Sequence, residues 1–509
     1  MQFRLWNIAR SILSNWFATG ATLAVGLFLQ PFIVHRLGDV AYAIWVLAVS
    51  SINYLGLLDL GMASSVVRYV SRGHATQDHS EASSVLSAVL WVRMQIGAVI
   101  LLLSGLLALF FPRVFNVPAN LSGDARTAIL IIGVTTTISM CFGVFSSTLS
   151  ALNRYDLRSY ITLVQMAIRV ILVIVVLRSG HGIVAIALCE LVAALVGNSL
   201  LAIVAQRAYP ELSIYLSKPG TEVVRKIWSY SLYAFLQTVA VQLVYQTDNL
   251  VVGAFITTVA VTFYSIGNTL CRYTQQLVGA MAITFTPAAS TYEAVGDSGG
   301  LRNLYYNGTR ATMAISLPIV ITLILRGGSF IGVWMGPEYI RPSGTVVVIL
   351  ATALLFSLQN LPASAIAYGV GKHQLLAKWA MGEAVANLTL SIVLARTYHS
   401  IYGVAIGTLI PNLVTHIILW PRYVARLVDV SYLEVFRQVW GPLYLCALPF
   451  AAASYAVDLF FPPHNKAIFA LQTIALLPIF AVTLALVFRD SFKRQVLPRV
   501  RSIFLAAVH

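Results

Sequence analysis

Charge is scarce in this sequence. Asp, Glu, Lys and Arg make up 10% of the residues, against about 25% in an ordinary soluble chain. A soluble globular protein of 509 residues is therefore excluded. Cysteine is nearly absent too: Cys141, Cys189, Cys271 and Cys446 are the whole set, each inside an apolar run. No CxxC occurs, which excludes a disulfide framework or a zinc site and leaves inert buried thiols. Catalytic signatures are missing as well. There is no Walker A loop, no GxSxG, no HExxH and no histidine pair, and His416 stands alone in an apolar run, where a hydrogen-bonded structural role is expected. No polar stretch is long enough for a soluble domain. With no ATP-binding motif, any work the protein does is expected to draw on an ion gradient, the membrane potential or a substrate gradient. No cofactor, no metal and no enzymatic activity are expected.

What the sequence does have is apolar length. Hydrophobic residues make up 59% of it, gathered into runs of the roughly 20 residues that a membrane-spanning helix needs. About fourteen such runs follow one another from residue 11 to residue 488. They are too long for barrel strands of roughly 10 residues, so the expected fold is all-α and polytopic. The first run carries no evident cleavage site and reads as a retained helix.

With the N-terminus placed in the cytoplasm, most of the 33 Lys and Arg fall in cytoplasmic segments, as the positive-inside rule requires. The C-terminus then lies on the same side. The net charge of +15 is spread over many loops, which suits anionic lipid headgroups and not nucleic acid. The expected organisation is an N-terminal six-helix bundle (1–206), a cytoplasmic amphipathic linker (207–228), and a C-terminal six-helix bundle (229–420). A basic cytoplasmic loop (421–439), a final helix pair (440–488) and a basic tail (489–509) complete it. Two six-helix halves in parallel repeat are a transporter layout.

Ionisable residues deep in apolar runs cost at least ~2.5–3.5 kcal/mol to insert, so they mark interiors or wet cavities. The arginines are Arg93, Arg169 and Arg272; the acids are Asp59, Glu190, Asp248 and Glu383. Depth suggests pairings. Asp59 lies nine residues before Arg68 and Arg93 twelve after Glu81, or roughly 13 and 18 Å along continuous helices. Arg169 and Glu190 reach similar depths in the same way. Each pair is either a structural ion pair or part of a ligand site. Arg272 has no acid of matching depth on an adjacent run. Its helical face also carries Tyr264, Asn268 and Gln275, all within about 80° at 100° per residue. The preceding run offers Tyr230, Tyr233, Gln237, Tyr245 and Asp248. These stripes, with an arginine that lacks an evident partner, favour a water-filled cationic cavity. Arginine's planar fork suits phosphate, so an anionic substrate is expected there.

The stretch LQPFIVHRLGDVAYAIWVLAVSSINYLGLLDLGMASSVVRYVSR (29–72) resembles the start of bacterial polysaccharide-biosynthesis flippases, through its Leu-Gly turn and its Asp59-Leu60-Gly61 signature before Arg-Tyr. QTDNLVVGAFITTVAVTFYSIGNTL (246–270) is similar to the start of that family's second bundle. The resemblance implies the fold of the multidrug, oligosaccharide-lipid and polysaccharide exporters, working by alternating access in the bacterial inner membrane. It implies an undecaprenyl-diphosphate-linked oligosaccharide as substrate, with a polysaccharide polymerase and a chain-length regulator as partners. By the same analogy the diphosphate sits among Arg272, Arg169 and Arg93, with Asn268, Gln275, Tyr264, Gln237 and Tyr245 nearby. Asp59, Asp248, Glu190 and Glu383 are coupling or structural acids, and for Asp59 a structural role is favoured over a protonated coupling site. A cation-coupled drug exporter and a peptidoglycan-precursor flippase share the fold. A membrane-embedded glycosyltransferase or polymerase is the reading from another class, and the lack of large loops speaks against it.

Overall fold

A backbone in lipid must satisfy its own hydrogen bonds, and the described residues do so with helices. The structure, a computed structural model, describes residues 2–215, 246–282 and 284–488, with a few isolated positions between 216 and 245 and side chains from Trp16 onward. No strand occurs among the described residues. The helices are α1 (Gln2–Leu37), α2 (Asp39–Leu55), α3 (Met62–Thr76), α4 (His79–Val114), α5 (Ala119–Ala151), α6 (Tyr155–Arg178) and α7 (Ile183–Ala208). A helical stretch over 246–255 leads to α8 (Thr258–Ala282), α9 (Phe285–Ala294), α10 (Ser298–Trp334), α11 (Ile340–Ser357), α12 (Leu361–Gly369) and α13 (Gln374–Tyr398). The chain continues through α14 (Ile401–Leu413), α15 (Trp420–Leu427), α16 (Tyr432–Val435), α17 (Gly441–Phe460) and α18 (Lys466–Val487). Among the described residues, eleven segments are long and apolar enough to cross a membrane. Large apolar side chains such as Leu102, Phe110, Phe460 and Leu471 face outward, as lipid-facing residues do. The protein is a multi-pass membrane protein.

Side chains start several of these helices. Asp78 accepts from the backbone N–H of Glu81 at 3.0 Å and opens α4. Asp297 accepts from Gly300 N–H at 2.7 Å and opens α10. Asn465 accepts from Ile468 N–H at 2.8 Å and opens α18. Each bond satisfies a donor that the first turn leaves orphaned.

The apolar run 42–67 does not form one helix. α2 ends at Leu55, a 3₁₀ turn covers Gly56–Asp59, and Leu60 and Gly61 follow at φ 54° and 74°. Two successive left-handed residues cannot propagate a right-handed helix. Asp59 is therefore the last residue of a spanning segment and does not lie inside a continuous helix as its hydropathy suggested. The basic stretch 421–439 also differs from the expected loop, because only 428–431 is non-helical. Arg422, Arg426 and Arg437 are exposed, while Val424, Ala425, Val428, Val435 and Val439 on the other side are buried. The segment is amphipathic, and its apolar side pays the cost of ordering it.

Packing divides the chain into two units. One comprises residues 1–265 and 380–407, the other 266–379 and 408–509. The first holds a core where Met62, Val66 and Val70 of α3 meet Val85, Leu86 and Val89 of α4, with Val144 of α5 and Tyr209. The second is centred on α10, whose Tyr305, Met313 and Leu317 pack with Ile366, Val424, Trp440, Leu443, Phe450 and Phe480.

Candidate functional site

The break after α2 delivers Asp59 to the middle of α4. Arg93 Nε donates to Asp59 Oδ1 at 2.7 Å. The arginine side chain is only 3% exposed and the aspartate 24%. Removing either partner from such a pair strands a buried charge. Arg93 is not saturated by this bond, since its Nη1 is buried without a hydrogen-bond partner. Gly143 on α5 makes the room: a Cβ there would lie 3.1 Å from that nitrogen. A charged donor left unpaired in the interior is costly, so this one calls for an acceptor.

Asp59 and Arg93 line a cavity of about 630 Å³ inside the first unit. α5 supplies half of its lining residues, among them Thr135, Ser139, Ser146, Ser147 and Ser150. Three of these hydroxyls are spoken for as donors. Thr135, Ser147 and Ser150 bond the carbonyls of Ile131, Gly143 and Ser146 at 2.8, 3.0 and 3.0 Å, the usual back-bonding of serine and threonine in membrane helices. Ser139 Oγ accepts from Asn198 Nδ2 at 3.2 Å. Arg158, on the first turns of α6, also lines the cavity. Its Nη1 donates to Ser150 Oγ at 3.3 Å. Nearby, Asp156 is taken by Arg154 at 3.1 Å, and Arg158 has no acid partner among the described residues. The wall thus offers two guanidinium groups, one carboxylate and a row of hydroxyl oxygens. That suits a polar anionic guest.

The other sequence-selected residues fall elsewhere. Arg169 Nε lies 2.5 Å from Glu190 Oε1 as a charge contact out of line for a hydrogen bond, and neither residue lines the cavity. Tyr264 is buried, and its hydroxyl donates to Asp248 Oδ2 at 2.5 Å. Thr247, next to Asp248 in the chain, shares a short hydrogen bond with Tyr54. Glu383 is half-buried on α13. Asn268, Arg272 and Gln275 are half-buried on α8, and among the described residues Arg272 makes no ion pair. Tyr230, Tyr233, Gln237 and Tyr245 lie outside the described residues.

A family model described as "Polysaccharide biosynthesis protein" matches residues 34–343, more than half of the chain. The chain belongs to this polysaccharide biosynthesis family. The membrane protein EpsK of Bacillus subtilis is 26% identical over 422 residues, 82% of this chain and 83% of EpsK. The probable low-salt glycan biosynthesis flippase Agl15 of Haloferax volcanii is 20% identical over 44% of this chain and 46% of its own length. Among solved structures, a multidrug-resistance transporter of the MATE family in an inward-facing conformation superposes with TM-score 0.68 at 15% identity, covering 81% of this chain and 94% of its own. The lipid II flippase MurJ in an inward closed conformation gives 0.67 at 15%, covering 94% and 100%. At that identity the likeness is one of fold, and it places this polysaccharide biosynthesis protein in the fold of the multidrug, oligosaccharide-lipid and polysaccharide exporters.

Two arginines of this family member escaped the sequence reading. Arg158 lies in a short polar gap between apolar runs, and nothing in its sequence neighbours marks a cavity. Arg326 stands between an apolar run and a Gly-Gly pair, a pattern that by itself resembles a helix end. In the structure α10 continues to Trp334 and Arg326 is wholly buried. Its Nε donates to Asp458 Oδ1 at 3.1 Å, its Nη2 donates to Gln472 Oε1, and its guanidinium stacks 4.7 Å from the Phe469 ring. Ser329 Oγ donates to the other Asp458 oxygen at 2.7 Å. The apolar SFIGVW after Arg326 was the signal that the helix had not ended.

Proposed function

We propose that the chain is a flippase. It carries an undecaprenyl-diphosphate-linked oligosaccharide, a polysaccharide repeat unit, from the cytoplasmic to the periplasmic leaflet of the bacterial inner membrane by alternating access. One observation carries the reading most: in a member of a polysaccharide biosynthesis family, a buried arginine keeps an unpaired nitrogen at a hydroxyl-lined cavity. Phosphate oxygens accept well from guanidinium, and hydroxyl oxygens suit sugar. The names of Agl15 and MurJ, both flippases, support the same class. Arg272, half-buried and without an ion pair among the described residues, is the second phosphate candidate. Asp59 acts as the structural partner of Arg93. The termini are cytoplasmic, and a polymerase and a chain-length regulator act on the delivered unit.

A cation-coupled drug exporter fits the fold equally well. The cavity's balance disfavours it, because Asp59 is neutralised by Arg93 and Arg158 leaves a surplus positive charge. The test is flipping of a lipid-diphosphate-linked oligosaccharide in liposomes by the purified protein and by Arg93→Gln and Arg272→Ala, each checked for folding. Flipping by wild type, with at least about tenfold loss on replacing Arg93, is the expected result, since a charge-assisted bond is worth about 1.5–3 kcal/mol. Export of cationic dyes without lipid flipping overturns the reading.

A further inference from the structure

We propose that the hairpin of α15 and α16 is a docking site for an anionic phospholipid of the leaflet it borders. Leu433 and Phe436 press into that leaflet, and Arg422, Arg426 and Arg437 meet the phosphates.

Depth puts the hairpin at the membrane surface. α17 has 20 residues and rises roughly 30 Å, the thickness of the hydrocarbon core. Its flank faces lipid over that length, since Leu445, Leu448, Tyr455 and Leu459 are exposed. The helical segment that begins at Tyr432 runs into Gly441 without a break. Phe436 stands five residues before Gly441, or roughly 7 Å, which is the depth of the headgroup layer.

The outer side of the hairpin is not an ordinary solvated face. Leu433 is 53% and Phe436 45% exposed. They are three residues apart, with Arg437 four beyond Leu433, so the three share one side. The core side of the hairpin is already filled by Val424, Val428, Val435 and Val439. Single exposed apolar residues are common on any protein, but these two extend the lipid-facing flank of α17. Large apolar residues beside arginine are the composition of a segment lying in the headgroup boundary.

Charge selects the headgroup. Arg422 and Arg426 are four residues apart on one side of α15, and the Arg422 guanidinium stands 5.6 Å from the ring of Tyr432, which precedes Leu433. The nearby acids are turned elsewhere. Asp429 Oδ2 lies 3.9 Å from Arg302, and Glu434 accepts from Tyr306 Oη at 2.8 Å and Gln438 Nε2 at 3.3 Å. Arg302 Nη2 also donates to the Asp429 carbonyl at 2.6 Å, and Arg310 Nη2 to the Gln438 carbonyl at 3.2 Å. These bonds fasten the hairpin to α10, so its cations are held on a fixed scaffold. A soluble acidic partner matches the charge but does not explain why the apolar pair continues a lipid-facing stripe.

The experiment titrates the purified full chain, in neutral detergent, with phosphatidylglycerol or phosphatidylcholine of the same acyl chains, and counts bound lipid by native mass spectrometry. Wild type is expected to bind the first phosphatidylglycerol at least about fivefold more tightly, the effect of one basic residue near an anionic headgroup. Joint replacement of Arg422, Arg426 and Arg437 by Gln brings the ratio close to one, and joint replacement by Lys keeps most of it. Joint replacement of the exposed Arg126, Arg178 and Arg341 by Gln removes the same charge elsewhere and is expected to leave the ratio unchanged. Leu433→Ser with Phe436→Ser weakens phosphatidylglycerol binding by at least about fivefold, because the apolar anchor is gone. A wild-type ratio of one overturns the inference, as does a ratio untouched by the hairpin Gln variant. Equal loss in the two Gln variants shows diffuse charge and no site. Full binding after Leu433→Ser with Phe436→Ser marks a purely ionic patch suited to a soluble acidic partner, and overturns it too. Displacement of phosphatidylglycerol from wild type by equimolar undecaprenyl phosphate assigns the hairpin to the substrate lipid instead. None of these outcomes bears on flipping itself.

Discussion

Arg93 and Asp59 meet at 2.7 Å because the chain between α2 and α3 breaks where it does. Had the apolar run continued as one helix, the carboxylate would project one way at a depth fixed by the helix. The 3₁₀ turn and the two left-handed residues set it free of that geometry. The pair ties the break to α4, and one side of the guanidinium still looks into a cavity.

Asp59→Ala leaves Arg93 buried and unpaired. The expected cost is about 3 kcal/mol, seen as a lower unfolding temperature in detergent. Replacing both residues with apolar ones of similar size, Asp59→Leu with Arg93→Met, is expected to cost less than Asp59→Ala alone. If the effects of the single changes simply add, the two side chains are not energetically coupled.

Gly61→Val tests the break itself. Gly61 sits at φ 74°, a conformation disfavoured by about 1–2 kcal/mol for a residue with a Cβ and more strongly opposed by a β-branched one. The variant is expected to unfold earlier than wild type by that margin. Equal stability would show that the left-handed turn is not needed.

Gly143→Ala probes the room beside Arg93. Its Cβ would stand 3.1 Å from Nη1, so the guanidinium shifts by a few tenths of an ångström. Gly143→Leu fills the space altogether. A graded fall in the initial flipping rate, with Ala mild and Leu severe, is expected while the fold in detergent survives. Normal rates in Gly143→Leu would remove this part of the cavity from the transport route.

Arg326 holds α17 and α18 to α10 within the second unit. Arg326→Ala strands Asp458 and opens space under Phe469, for a loss of about 3–5 kcal/mol. Arg326→Lys keeps the charge but not the planar fork, and it is expected to fall between. Hydrogen exchange in 441–487 reads the change directly. Unaltered protection there in Arg326→Ala would mean the helix pair is held by apolar packing alone.

The class of this protein was legible without any structure. A bilayer about 30 Å thick demands long apolar helices, and those runs are a property of adjacent residues, so they can be read one after another along the chain. The rarity of charge within them picked out Arg93 with Asp59 and Arg169 with Glu190 on depth alone, because charges in a low-dielectric interior seek partners. Other features were not local. Hydropathy is blind to backbone dihedrals, so Leu60 and Gly61 passed as part of a helix. Charge density made 421–439 look like a loop, although Val424, Val428, Val435 and Val439 find a core that only the folded chain provides. Arg158 became a site residue only when α6 was laid against Ser150 of α5. The amino-acid order determined how many polar groups must be buried and roughly where along the helices. Tertiary packing decided which of them face one another across a void, because a void belongs to several helices at once and to no single stretch of sequence.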